Sequence, residues 1–167
     1  MRAALILTAL FFLVALFSSS GLMALPTAVP DDEALAIIVN KSNPIDNLSL
    51  TELRKIFLAE QTRWPNGHRM TVVMRQPGQD ERATVLRLIY RMSERDFNRY
   101  FLRGTFTGET QAVPKTLATA ASARKFVFNV PGAIGYVRAG ELDDSVKILR
   151  VDGRAPQDGG YPLKMQR

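Results

Sequence analysis

Arg75 closes a short apolar stretch, Met70-Thr71-Val72-Val73-Met74, and is followed by Gln76-Pro77-Gly78-Gln79-Asp80-Glu81-Arg82. A guanidinium at the C-terminal end of a strand, facing a loop that opens a helix, is suited to holding a small oxyanion. It brings a fixed positive charge with forked donors. The helix start adds free N–H groups and positive potential. The amides of Gln79 to Arg82 would converge on the same point, and the Arg82 side chain would reach it from the first helical turn. Asp80 and Glu81 stand in that turn too. They would serve the helix dipole themselves, and Asp80 is placed to pair with Arg75 in a ligand's stead. A bound anion and an internal ion pair both follow from this one segment.

Other chemistries lack their parts. The chain has one histidine, His68, in a turn beside Gly67, and no cysteine. There is no Ser-His-acid spacing and no His/Asp/Glu ligand cluster, so neither nucleophilic catalysis nor a zinc centre is expected. His68 reads as a solvated turn residue. Asp31-Asp32-Glu33 and Asp143-Asp144 read as exposed linker and turn rather than a glycosidase carboxylate pair. No catalytic residue, metal ligand or cofactor is expected. Asn47-Leu48-Ser49 matches a glycosylation sequon but reads better as a helix cap.

The elements that must position Arg75 are legible. Ala36-Ile37-Ile38-Val39-Asn40 is a short apolar run ending in turn residues, a buried strand. Ser49-Leu50-Thr51-Glu52 forms a capping box, with Leu48 and Leu53 at the staple positions. Leu50, Leu53, Ile56 and Phe57 give the following helix one apolar face. Trp64-Pro65-Asn66-Gly67 is a tight turn, and Trp64 is expected to anchor it on that helix. Met70 to Met74 is the next strand. The spacing then predicts a helix over 79–92, with Val85, Leu88, Ile89 and Met92 inward and Arg87 and Arg91 on another face. Ser93 and Asp96 restart a helix whose stripe is Phe97, Tyr100 and Phe101. Gly104 to Thr110 is expected as a loop. Pro114 is expected to open a helix through Phe128, with Leu117, Ala121, Arg124 and Phe128 on one face. Ala133 to Val137 and Val146 to Val151 are further strands. Strands alternating with helices predict an α/β sandwich around one small sheet.

The blocks IIVNKSNP, LSLTELRKIFLAEQTRWPNG, VVMR and PGAIGYV together resemble the phosphate-type periplasmic solute-binding proteins of ABC transporters. More closely they resemble short, single-lobe, phosphate-binding-like relatives. The resemblance covers about Ala34 to Gly153. It implies a single lobe of the type II periplasmic-binding-protein-like fold, a small mixed sheet flanked by helices. In the family's phosphate binders the equivalent strand ends in Arg, then Ser-Asp-Gly-Ser-Gly-Thr, whose backbone and hydroxyls cradle the anion. Here Arg75 and Gly78 match, whereas Pro77, Gln79 and Glu81 replace the Asp, second Ser and Thr. The resemblance therefore implies an oxyanion-binding-like site with a degenerate loop, its ligand residues Arg75, Gly78, Gln79 and Arg82. It also places the Gly132-Gly135-Tyr136 strand near the family's hinge, where the residues themselves argue for close packing.

The N-terminus reads as a secretion signal: Arg2, an apolar run from Ala3 to Phe17, then small residues, with cleavage expected after Ala24 or Ala28. An uncleaved anchor is the alternative, since about 20 apolar residues suffice to cross a bilayer. The expected organisation is a signal peptide over 1–24, a linker over 25–33, a binding-protein-like domain over 34–153 and a mobile tail over 154–167. The formal charge of +6 and pI near 10 favour anionic partners. Export excludes nucleic acid from the expected partners. These readings converge on a non-enzymatic periplasmic domain that binds a small phosphate-like oxyanion. The alternative is an envelope protein–protein interaction module, working with a transporter or sensor and holding no small ligand.

Overall fold

A computed structural model describes residues 33–108 and 112–165. The expected signal, and the linker up to residue 32, lie outside the described residues. Six strands form one mixed sheet in the order β2-β6-β1-β5-β3-β4. They are β1 (Leu35–Val39), β2 (Asn47–Leu48), β3 (Thr71–Arg75), β4 (Lys115–Leu117), β5 (Ala133–Arg138) and β6 (Lys147–Val151). The helices are α1 (Leu50–Phe57), α2 (Asp80–Val85), α3 (Glu94–Thr107) and α4 (Ala120–Asn129). β1 runs antiparallel to β5 and β6, with Ile37 opposite Tyr136 on one side and Leu149 on the other. β3 runs parallel to β5 and β4.

β1 is buried at all five positions because helices or chain cover both faces of the sheet. Its alternate residues Leu35, Ile37 and Val39 enter the larger core, shared with Leu53, Phe57, Ile89, Tyr90, Phe97 and Phe101. Ile38 enters the smaller one, with Val73, Ala123, Val127 and Val137 under α4. The expected single core is thus divided by the sheet. α1 begins as the sequence predicts: Ser49 Oγ accepts from the Glu52 N–H at 3.2 Å, and the Glu52 carboxylate accepts from the Ser49 N–H at 2.8 Å. Trp64 is buried and donates its indole N–H to the Gly132 carbonyl at 3.0 Å. The turn is thereby pinned to the start of β5.

Four expectations are corrected. The helix expected over 79–92 is α2 followed by a π-helical turn, Leu86–Tyr90, and stops at Arg91, whose φ of 55° is left-handed. The loop expected from Gly104 is the last turn of α3, which ends at Gly108 with φ 74°. The helix expected from Pro114 begins instead at Ala120, capped by Thr119, and Lys115–Leu117 pairs with β3 as an edge strand. Its buried face is accordingly Ala120, Ala123 and Val127, while Ala121 and Phe128 are exposed. The tail expected to be mobile is docked: Tyr161 and Leu163 are buried, the Leu35 N–H donates to the Leu163 carbonyl at 2.8 Å, and the Tyr161 hydroxyl donates to the Leu35 carbonyl at 2.8 Å.

Candidate functional site

β3 ends at Arg75 as its sequence predicts. The β3–β5 ladder has closed by then, at Val72 opposite Ile134. The Arg75 N–H, on the β5 side, instead donates to the Tyr136 hydroxyl at 3.0 Å. Burial pushes the Tyr136 phenol well above its ordinary range, so this acceptor stays neutral at any physiological pH. The Arg75 residue is 7% exposed, and its Nε and Nη1 are buried without a hydrogen-bond partner. The ion pair expected with Asp80 does not form. Asp80 lies 3.7 Å from Arg138, and Glu81 accepts from Arg138 Nε at 2.7 Å. Burial would raise the Glu81 pKa, yet the Arg138 hydrogen bond, with the charges of Arg138 and Arg75, holds it below the usual glutamate range.

The other residues expected around Arg75 divide. Gly78 is exposed with φ 87°, the left-handed turn residue that ends the loop, and Gln79 is the residue before α2. Arg82 is turned into the protein. Its Nη1 donates to the Arg75 carbonyl at 2.9 Å, and its Nε and Nη2 fork onto Glu94 at 2.9 and 2.7 Å. Its guanidinium also lies over the Phe97 ring, 4.8 Å from the centroid. A buried guanidinium engaged at all three nitrogens braces the loop. α2, at six residues, is short, and its first turn carries Asp80 and Glu81.

What Arg75 does face is α4. A cavity of about 480 Å³ is lined by Arg75, Thr119, Ala120, Ala121, Arg124, Gly140, Glu141 and Leu142. Thr119 Oγ1 accepts from the Ser122 N–H at 3.1 Å, and the Ala123 N–H bonds to the Thr119 carbonyl at 3.0 Å. The Ala123 bond is the first ordinary helical one; of the four N–H groups that a helix start leaves without partners, Thr119 is met by Ser122 Oγ at 3.1 Å and Ser122 by Thr119 Oγ1. Arg124 is held by Asp143 at 2.8 Å and by the Glu141 carbonyl. The Glu141 carboxylate accepts from the Arg138 N–H at 3.2 Å. Sequence reasoning missed this side of the site because it set the α4 start too early. The Thr119-x-x-Ser122 capping pattern was the available signal. Among the described residues no group of three or more His, Cys, Asp or Glu side chains is arranged to hold a metal ion. No described helix is long and apolar enough to cross a membrane.

No family model matches the chain. It is 27% identical over 139 residues to the phosphate-binding protein PstS of Bacillus subtilis (strain 168), covering 77% of this chain and 41% of that protein. An ABC-type phosphate transport receptor from Vibrio cholerae superposes with a TM-score of 0.60 at 22% identity, over 74% of this chain and 48% of that one. PstS from Borrelia burgdorferi gives a TM-score of 0.61 at 17% identity, over 80% of this chain and 55% of that one. The chain thus spans about half the length of the proteins it matches. The structural likeness shows a shared α/β fold, that of the PstS-like binding proteins. The resemblance read from the sequence blocks is borne out.

Proposed function

We propose that this chain is a non-enzymatic, periplasmic binding-protein-like domain that holds a phosphate-like oxyanion at Arg75. The observation that carries the reading is a buried arginine that lines an open cavity and has two nitrogens without a hydrogen-bond partner. Arginine cannot shed its charge to escape burial. A buried charge without an ion pair of its own is costly, and an anion from solution would supply one. The likeness to a phosphate-binding protein and to a phosphate transport receptor supports phosphate as the ligand class and an ABC transporter as the partner. The loop after Arg75, with Pro77, Gln79 and Glu81, offers none of the family's hydroxyls, so affinity is expected to be modest.

Thermal and chemical unfolding of the full chain, titrated with phosphate, sulfate, molybdate and tungstate, tests the reading. At a hundred times the dissociation constant a bound oxyanion stabilises the fold by about 2.7 kcal/mol. Arg75→Ala should abolish that gain. A flat titration at millimolar anion would overturn the proposal.

A second reading, an envelope interaction module, has its own observation. Arg95, Arg99, Leu102, Arg103 and Phe106 fall on one stripe of α3, where Leu102 is 61% and Phe106 84% exposed. A groove of about 670 Å³ runs beside it, its lining including Leu58, Met92, Tyr100, the arginines Arg99 and Arg103 and the acids Glu60 and Asp96. Arginines interleaved with exposed apolar side chains suit an acidic protein partner. A flat anion titration together with a complex lost on Phe106→Ser would favour this reading.

A further inference from the structure

We infer that the anion's remaining ligands come from the start of α4, not from the loop before α2, so that the site holds a phosphate group between Arg75, the Ala120 and Ala121 N–H groups and Arg124. This rests on the proposed oxyanion reading and moves its location. Three observations carry it. First, the start of α2 already carries its own acids. Asp80 and Glu81 occupy its first turn and share Arg138, while Arg82 is held by Glu94. Second, α4 is ten residues long, and its first turn, unlike that of α2, carries no acid. The Thr119–Ser122 capping box satisfies the Thr119 and Ser122 N–H groups. That leaves the Ala120 and Ala121 N–H groups at the positive end of the helix dipole. Third, the buried, unpartnered Arg75 lines the same cavity as those residues.

Arg124 is matched by Asp143, yet keeps a place on the cavity wall. Glu141 lines the cavity too, with its Oε2 turned to the Arg138 N–H. No carboxylate oxygen among the described residues lies within 4 Å of Arg75, although its charge still acts on Glu81. The space, about 480 Å³, is in the range of small-molecule sites. A phosphate group fits there either free or as a monoester whose organic part extends past the exposed Ala121 and Gly140.

The test uses the full chain, labelled with ¹⁵N, and titrates inorganic phosphate and glycerol phosphate in separate arms. The Ala120 and Ala121 amide protons should move downfield on saturation with the preferred source, and the ratio of the two dissociation constants says which source that is. Ala121→Asp is the discriminating variant. Ala121 is exposed, and an acid in the first helical turn favours the helix, so the unliganded protein should be as stable as the parent or more so. Its anion affinity should nevertheless fall at least tenfold. Arg124→Gln should weaken binding severalfold, and Gln79→Ala should leave it unchanged. Binding that survives Ala121→Asp but is lost in Gln79→Ala would overturn the α4 location while keeping Arg75 as a ligand. If the parent protein binds neither probe, the oxyanion reading fails and this inference with it.

Discussion

Tyr136 supports Arg75 from beneath: its hydroxyl accepts the Arg75 backbone N–H at 3.0 Å, where the β3–β5 ladder no longer supplies a carbonyl. The strand end that carries the guanidinium is thus fixed by a side chain 61 residues away. Tyr136 sits opposite Ile37 of the central strand and packs against Phe57, ring centroids 6.5 Å apart. The position of Arg75 is therefore coupled to the core through that hydroxyl, alongside the Arg82 donor to its carbonyl.

Tyr136→Phe removes that acceptor with little change of shape. A buried N–H without a partner costs about 1–3 kcal/mol. Equilibrium unfolding in urea should show a loss in that range, and the oxyanion response of the variant should weaken because the Arg75 backbone is no longer held. Unchanged stability together with unchanged anion binding would show that this hydrogen bond does not position the site.

Gly132 fixes the other end of the same strand pair. A Cβ there would lie 1.9 Å from the Arg69 carbonyl oxygen, so the backbone itself must move to admit it. The Gly132 carbonyl also accepts the Trp64 indole N–H and the Thr71 N–H. Gly132→Ala should cost at least about 1–3 kcal/mol, the range for forcing extra methylenes into a packed interior. Gly135→Ala should cost less. Its Cβ would meet the Val73 side chain at 3.2 Å, where a small adjustment suffices. Urea midpoints for the two variants check the order.

Much of the fold could be read locally. The α1 capping box, the Trp64 turn, β3 ending at Arg75, and the Phe97–Phe101 stripe all depend on neighbours within a few residues. The sequence misled where pairing is remote or the local signals compete. Pro114 reads as a helix opener, but Lys115–Leu117 is taken up by the edge of β3, a contact about 40 residues back in the chain that no spacing announces. Gly104 reads as a break, yet it is buried inside α3, and the left-handed Gly108 ends the helix. At the site, Arg75 and its strand-end placement were legible. The partners were not, because Arg138 with Glu81 and Arg82 with Glu94 are side-chain matches made across the fold. Those matches leave Arg75, alone of the three arginines at this end of the sheet, without an ion pair among the described residues.

The last prediction concerns acid. Glu94 is held below its ordinary value of 4.5, first by the Arg82 hydrogen bond and then, against a smaller desolvation penalty, by the Arg82 charge. Glu81 is lowered as well: burial pushes upward, and its contacts with Arg138 outweigh that. A carboxylate whose folded pKa lies below its unfolded one binds fewer protons when folded. Its contribution is therefore fully present above the unfolded value and is lost as pH falls through the folded one. Stability should be level above about pH 5 and should decline below the ordinary carboxylate range. Glu94→Ala should remove part of that decline. It should also cost about 2 kcal/mol at neutral pH, less than the 3–5 for a fully buried pair, because the Glu94 side chain is 40% exposed. The Arg82 left behind is 4% exposed and cannot neutralise, so the loss should exceed that of an exposed pair such as Arg99 with Asp96. Urea unfolding of the parent and Glu94→Ala from pH 3 to 8 measures both effects. Parallel pH profiles with equal midpoints would show that the Arg82–Glu94 fork does not stabilise the loop that carries Arg75.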